Sequence, residues 1–133
     1  MRLLLAAAVA SALSMLGACD SSSDGPFAID DVEHPDTVVS DGPRGNLTIH
    51  WSGNPKFPVT AVFGPTEDGC PVPGSCNSRE LSFQERENPL LFVGSPRCTG
   101  YTEDTVIGYE VQLTDADGVA TAPYPVTHLC VLQ

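Results

Sequence analysis

From residue 27 onward the sequence predicts an all-β chain, an antiparallel β-sandwich of about seven short strands. Three observations lead there. Apolar and polar residues alternate over short runs, the pattern of a strand with one face on a core and the other in water. No stretch keeps a 3.6-residue period for three turns, so an amphipathic helix has nowhere to form. Gly, Pro and Asp break the runs at short intervals, as turns do in sandwiches.

Phe27, Ile29 and Val32 open the domain, and Thr37-Val38-Val39 continues that strand after a break at Pro35. Leu47, Ile49 and Trp51 alternate with Thr48, His50 and Ser52 between Gly45 and Gly53, a half-buried second strand. Val59, Ala61 and Phe63 repeat the alternation until Gly64-Pro65. Leu81 and Phe83 follow a long irregular segment, and Leu90-Leu91-Phe92-Val93 lies between Pro89 and Gly94. The clearest run is Ile107, Tyr109, Val111 and Leu113, which leads into the turn Asp115-Ala116-Asp117-Gly118. A last strand runs from Val126 through Val131. Pro123 and Pro125 flank Tyr124 before it; proline cannot donate to a ladder, so this stretch is expected at an edge or a bulge.

The N-terminus has a different character. Arg2 is followed by an apolar run, then small residues up to Cys19. That is the layout of an export signal, and the run is short of the roughly 20 residues a membrane span needs. The four residues Leu16-Gly17-Ala18-Cys19 resemble the lipobox of bacterial lipoproteins. The resemblance implies that residues 1–18 are a signal peptide that is removed, and that Cys19 carries a diacylglyceryl group and usually a third acyl chain such as palmitate. Two or more chains, at about 0.8 kcal/mol per buried methylene, hold stably where one holds only reversibly. The expected address is the bacterial cell envelope, with the chain lipid-anchored to a membrane. Residues 19–26 are small and polar and read as a flexible tether, leaving 27–133 as one small domain.

Cleavage leaves 5 basic against 17 acidic residues, a net charge of −12. That balance argues against nucleic acid as a partner. With Cys19 set aside, Cys70, Cys76, Cys98 and Cys130 remain, an even number in an exported chain, and are expected as two disulfides. The favoured pairing is Cys70 with Cys76, closing the turn-rich Pro71-Val72-Pro73-Gly74-Ser75, and Cys98 with Cys130, fastening the last strand to the body. The spacing does not suit zinc or a CxxC redox pair.

A second resemblance rests on Tyr109-Glu110-Val111-Gln112-Leu113-Thr114-Asp115-Ala116-Asp117-Gly118 and the strand after it. The stretch is similar to the closing hairpin of bacterial immunoglobulin-like, fibronectin type III and PKD-type domains. It implies an immunoglobulin-like sandwich in which Tyr109 pins a corner. Trp51 would be the core tryptophan, although it falls on the second predicted strand where those families place it on the third.

Candidates for chemistry are sparse. Asp115 and Asp117 could offer oxygens to calcium, and Asp30, Asp31, Glu33 and Asp36 form a second acidic group, yet the EF-hand pattern is missing and turn geometry alone accounts for Asp and Gly at a hairpin tip. His34, His50 and His128 are far apart and read as strand histidines on a polar face, with His50 and His128 on neighbouring strands as the alternative. There is no HExxH, GxSxG or Gly-rich phosphate loop, and no cofactor is expected. Asn46-Leu47-Thr48 matches a glycosylation sequon that has no use behind a bacterial leader. Loops carry function on such scaffolds. The longest, 64–79, holds Cys70, Pro71, Pro73 and Cys76 and is the first candidate for a binding surface; Phe57-Pro58 beside Lys56 is an exposed alternative. The sequence thus points to a non-catalytic envelope protein that binds another envelope protein or a polysaccharide. The alternative is a periplasmic inhibitor of a protease or lysozyme that inserts the Cys70–Cys76 loop.

Overall fold

The structure, a computed structural model, describes residues 25–94 and 96–132. The expected signal peptide, Cys19 and the first part of the tether lie outside the described residues. Among those described there is no helix; eight strands form two sheets. One sheet has the order β1-β3-β6, from Ala28–Glu33, Asn46–Ser52 and Leu90–Val93. The other has the order β2-β8-β7-β4-β5, from Thr37–Val39, Tyr124–Val131, Thr105–Thr114, Val59–Pro65 and Arg79–Phe83.

The alternation seen in the sequence decides which side chains face inward. Leu47, Ile49, Trp51, Leu90 and Phe92 from the smaller sheet meet Val59, Ala61, Phe63, Ile107, Tyr109, Val111 and Leu113 from the larger. Each is essentially withdrawn from water, at about 25 cal/mol per Å² of apolar surface removed. In β1, Ile29 and Val32 both pack inward although three positions apart. A bulge between Ile29 and Asp31 resets the face: Ile29 pairs with Trp51, Asp31 with His50 and Val32 with Ile49.

Two expectations are corrected. The opening strand does not continue past Pro35; β1 belongs to the smaller sheet, and β2 crosses to the larger. Because the chain crosses without reversing, β2 runs parallel to β8, with Thr37 opposite Leu129 and Val39 opposite Val131. The sheets are therefore antiparallel except for this one pair, and there are eight strands where about seven were expected. Trp51 consequently sits on the third strand in chain order. Pro125 is accommodated as foreseen, since β2 covers only residues 129–131 of β8 and leaves the proline on a locally open edge.

The strands define two ends. Phe27, the segment from Gly53 to Pro58 and the turn at Asp115 lie at one. At the other are the long loop between β4 and β5, the end of β6, and the connection from β6 to β7. Both disulfides are at this second end, joining Cys70 to Cys76 and Cys98 to Cys130. Cys76 and Cys98 also form an antiparallel backbone bridge, and the Thr99 amide donates to the Ser75 carbonyl at 3.2 Å.

In the chain-entropy model the 32-residue closure from Cys98 to Cys130 contributes about 3.7 kcal/mol and the six-residue closure about 2.2 kcal/mol. Urea unfolding of the Cys98→Ala/Cys130→Ala and Cys70→Ala/Cys76→Ala double variants should show the first as the larger loss, and the reverse order would contradict this reading of the closures.

Candidate functional site

The long loop leaves β4 by a tight docking onto β7. Thr66 donates its amide to the Gly108 carbonyl at 3.1 Å, and Gly108 donates back to Gly69 at 2.9 Å. A Cβ on Gly69 would fall on the Gly108 carbonyl, so only glycine allows this approach. The chain then reaches Cys70 and turns through Pro71, Val72, Pro73 and Gly74, all exposed, with Val72 at 41 %.

The base of this tip is fixed from beneath. Ser75 is buried; its hydroxyl donates to the Val72 carbonyl at 2.6 Å and lies 2.7 Å from the buried Tyr101 hydroxyl. The Ser75 amide also donates to Val72, at 3.1 Å. Disulfide, serine and tyrosine therefore hold an exposed apolar tip on a polar clamp. A cleft of about 160 Å³ opens beside it, lined by Gly74, Ser75, Cys76, Asn77, Arg97 and Thr99. A second, of about 170 Å³, lies on the other flank between Pro71, Val72, Tyr101 and Glu103. The Asn77 side chain accepts the Arg97 amide at 3.0 Å, setting the wall of the first cleft.

No family model matches this chain, and no curated protein shows significant similarity to it.

The other sequence candidates are spread across the molecule. Asp115 caps its own hairpin: one carboxylate oxygen accepts the amides of Asp117 and Val119, both at 2.9 Å, and the other accepts that of Lys56 at 3.2 Å. Desolvation acts to raise its pKa, but the amide bonds from Val119, Lys56 and Asp117, with the Lys56 charge, hold it below the usual carboxylate value. Its oxygens are committed to the turn. Asp30 accepts from Ser52, Asp31 from the Tyr124 hydroxyl, and Glu33 from His50. Among the described residues no three His, Cys, Asp or Glu side chains are grouped to hold a metal ion. The Asn46 side chain accepts the Gly94 amide at 3.2 Å. In the Phe57-Pro58 alternative beside Lys56, Pro58 and Lys56 are exposed, while Phe57 is half-buried against Phe83, with ring centroids 5.9 Å apart.

The histidines require a correction. His50 lies on β3 and His128 on β8, in different sheets, and His128 faces the core. It is 3 % exposed and stacks on Tyr109, with centroids 5.1 Å apart, while Tyr109 stacks on Phe63 at 4.4 Å. Neither ring nitrogen of His128 has a hydrogen-bond partner among the described residues. Burial, with the nearby His34, lowers its pKa to about 4. Burial also pushes Tyr109 up to about 12, with the bond to Asn77 opposing and Tyr101 adding to the rise. The Tyr109 hydroxyl donates to the Arg97 carbonyl at 3.0 Å.

An imidazole with a depressed native pKa leaves stability untouched above its unfolded value of 6.5. As pH falls through 6.5 the unfolded chain takes up the proton first, and stability declines until the native group titrates near 4. The loss over this window is about 3 kcal/mol at 1.36 kcal/mol per unit. The His128→Phe variant should lack that part of the acid-side decline in urea midpoints measured from pH 7 to 4; an unchanged pH dependence would show that His128 does not titrate between folded and unfolded states in this way.

Proposed function

We propose that this chain is a non-catalytic, lipid-anchored binding module of the bacterial cell envelope, built on an immunoglobulin-like sandwich, whose recognition element is the tip Pro71–Gly74. The observation that carries the reading is the clamp beneath that tip. A short apolar turn kept exposed by a disulfide and by the Ser75–Tyr101 contact gives up little conformational entropy when a partner covers it.

Three features support the immunoglobulin-like assignment. The first strand is split, β1 pairing with β3 in one sheet and β2 running parallel to the last strand in the other. The sheet orders place the third and sixth strands together, and the fourth beside the seventh. The Tyr109 hydroxyl reaches back to the Arg97 carbonyl, upstream on the connection into its own strand, as a corner tyrosine does.

The direction of the chain supports display. The tether enters at the start of β1, where Ala28 pairs with Ser52 at the end of β3. The seven residues of β4 lead away from that end at about 3.3 Å each, so the tip stands a strand length, roughly 20 Å, further from the anchor than the entry point. Acyl chains on Cys19 would hold one end of the domain to the membrane while the other faces the periplasm or the outside. The same pre-ordered tip also favours inhibition of a protease or lysozyme, in which the turn would enter the enzyme's cleft.

The test is to recover the mature chain from its own membranes after mild cross-linking and measure its intact mass. A mass that includes acyl groups on Cys19 and two disulfides, with one recurrent cross-linked protein, is the expected result; an unacylated mass starting at another residue would overturn the anchor. Replacing Pro71-Val72-Pro73-Gly74 by Gly-Ser-Gly-Ser between the intact cysteines should abolish that cross-link without loss of secondary structure, and persistence of the cross-link would overturn the tip as the recognition element.

A further inference from the structure

We infer that the free edge of β6 docks an extended segment of a partner protein, apolar at two alternate positions and acidic where it passes Arg44 and Arg79. This surface is separate from the Pro71–Gly74 tip and does not depend on it. β6 pairs with β3 along one side only, and no described strand pairs with its other side. Leu90 and Phe92 are buried beneath it, while Leu91 and Val93 on the outer face are 54 % and 57 % exposed. Edge strands are commonly protected by outward charge or internal proline; this one carries neither on its outer face. An added strand would gain main-chain hydrogen bonds from the edge and contacts to alternate side chains from Leu91 and Val93.

The end of that edge carries positive charge. Arg79 Nη1 and Arg44 Cδ come within 3.0 and 3.8 Å of one point, the place a Cβ on Gly94 would occupy. Gly94 follows the last residue of β6. The Arg79 guanidinium also lies 5.9 Å from the centroid of the Phe92 ring, which keeps it at the edge. Arg97 lines the adjoining cleft. None of these three arginines has a described acidic side chain within ion-pair distance, although acids outnumber bases by 17 to 6 along the chain. Guanidinium groups without a carboxylate partner among the described residues, at the end of a strand edge, are complementary to a carboxylate on the strand that joins it.

The alternatives fit less well. A sugar chain would need a ring to lie on, and the large exposed apolar side chains among the described residues are all aliphatic. A second copy held to the same membrane by its N-terminus would stand parallel, bringing arginine against arginine, which is repulsive.

The probe is a phage-displayed library of random nine-residue peptides selected on the full chain in detergent. The expected result is enrichment of peptides with apolar residues at alternate positions and Asp or Glu at one end. A synthetic peptide from that set should bind roughly tenfold more weakly to the Arg44→Glu variant, and weaker still to Arg44→Glu/Arg79→Glu and to Leu91→Lys. Its affinity for the native chain should fall as salt rises above physiological strength. Arg44 is exposed, so an unchanged melting curve will show that the single variant is folded. Failure to enrich any peptide, enrichment without acidic residues, or binding indifferent to Arg44→Glu would overturn the inference. So would binding of polygalacturonate with the same arginine dependence in the absence of peptide binding, or concentration-dependent self-association lost in Leu91→Lys.

Discussion

The backbone bridge between Cys76 and Cys98 makes a single unit of everything at the loop end of the sandwich. Through Cys76 it reaches the disulfide that closes the β4–β5 loop, and through Cys98 the disulfide to β8. Two irregular connections, each too polar to build a core of its own, are thereby fixed to each other and to the last strand. The residues on either side extend the union: Ser75 beneath the exposed tip, Asn77 on the Arg97 amide, and the Arg97 carbonyl on the Tyr109 hydroxyl. A domain of about a hundred residues has a limited core, and here covalent closure and backbone pairing order what burial alone would leave loose.

Tyr109 connects that unit to the interior. Its ring is stacked between Phe63 and His128, and its hydroxyl leaves the core to meet the Arg97 carbonyl. The three rings fill the space between β4, β7 and β8 with flat surfaces that pack closely. His128 occupies its place as a neutral ring, with desolvation outweighing the gain from carrying a proton. An imidazole whose two nitrogens lack partners among the described residues costs stability that a phenyl ring would not, so the position is not explained by packing alone.

Much of this fold was legible in the period-two alternation, because a strand with one buried face must show it. Leu47, Ile49 and Trp51, and Ile107 through Leu113, are inward as their spacing requires. What the pattern could not show is sheet membership. Pro35 marks a break, but a break at which the chain crosses between sheets looks the same as one at which a single strand merely kinks. The bulge at Asp30 was likewise invisible except as the three-residue step from Ile29 to Val32. His128 is different. Its parity with Val126 and Cys130 placed it on the inward face, and only the habit of assigning histidine to a polar surface hid it. The clamp of Ser75 and Tyr101 left no sequence signal, because the two residues are 26 positions apart and meet only through the Cys76–Cys98 bridge.

The acidic composition is the property hardest to reconcile with recognition of a carboxylate, and the placement of the cations resolves it. Of the five that follow residue 18, Lys56 lies at the Asp115 turn and Arg86 stacks over Trp51 at 4.4 Å, both at the end where β1 begins. Arg44, Arg79 and Arg97 come from three separate segments to the opposite end. Net charge acts through the summed field and is screened over about 8 Å at physiological ionic strength, whereas a guanidinium meets a carboxylate at hydrogen-bonding range. Long-range repulsion would slow the approach of an acidic partner without preventing the contact. A chain with this distribution would therefore bind such a segment slowly at low salt and more readily as salt rises toward physiological strength, before screening of the contact itself begins to weaken the complex.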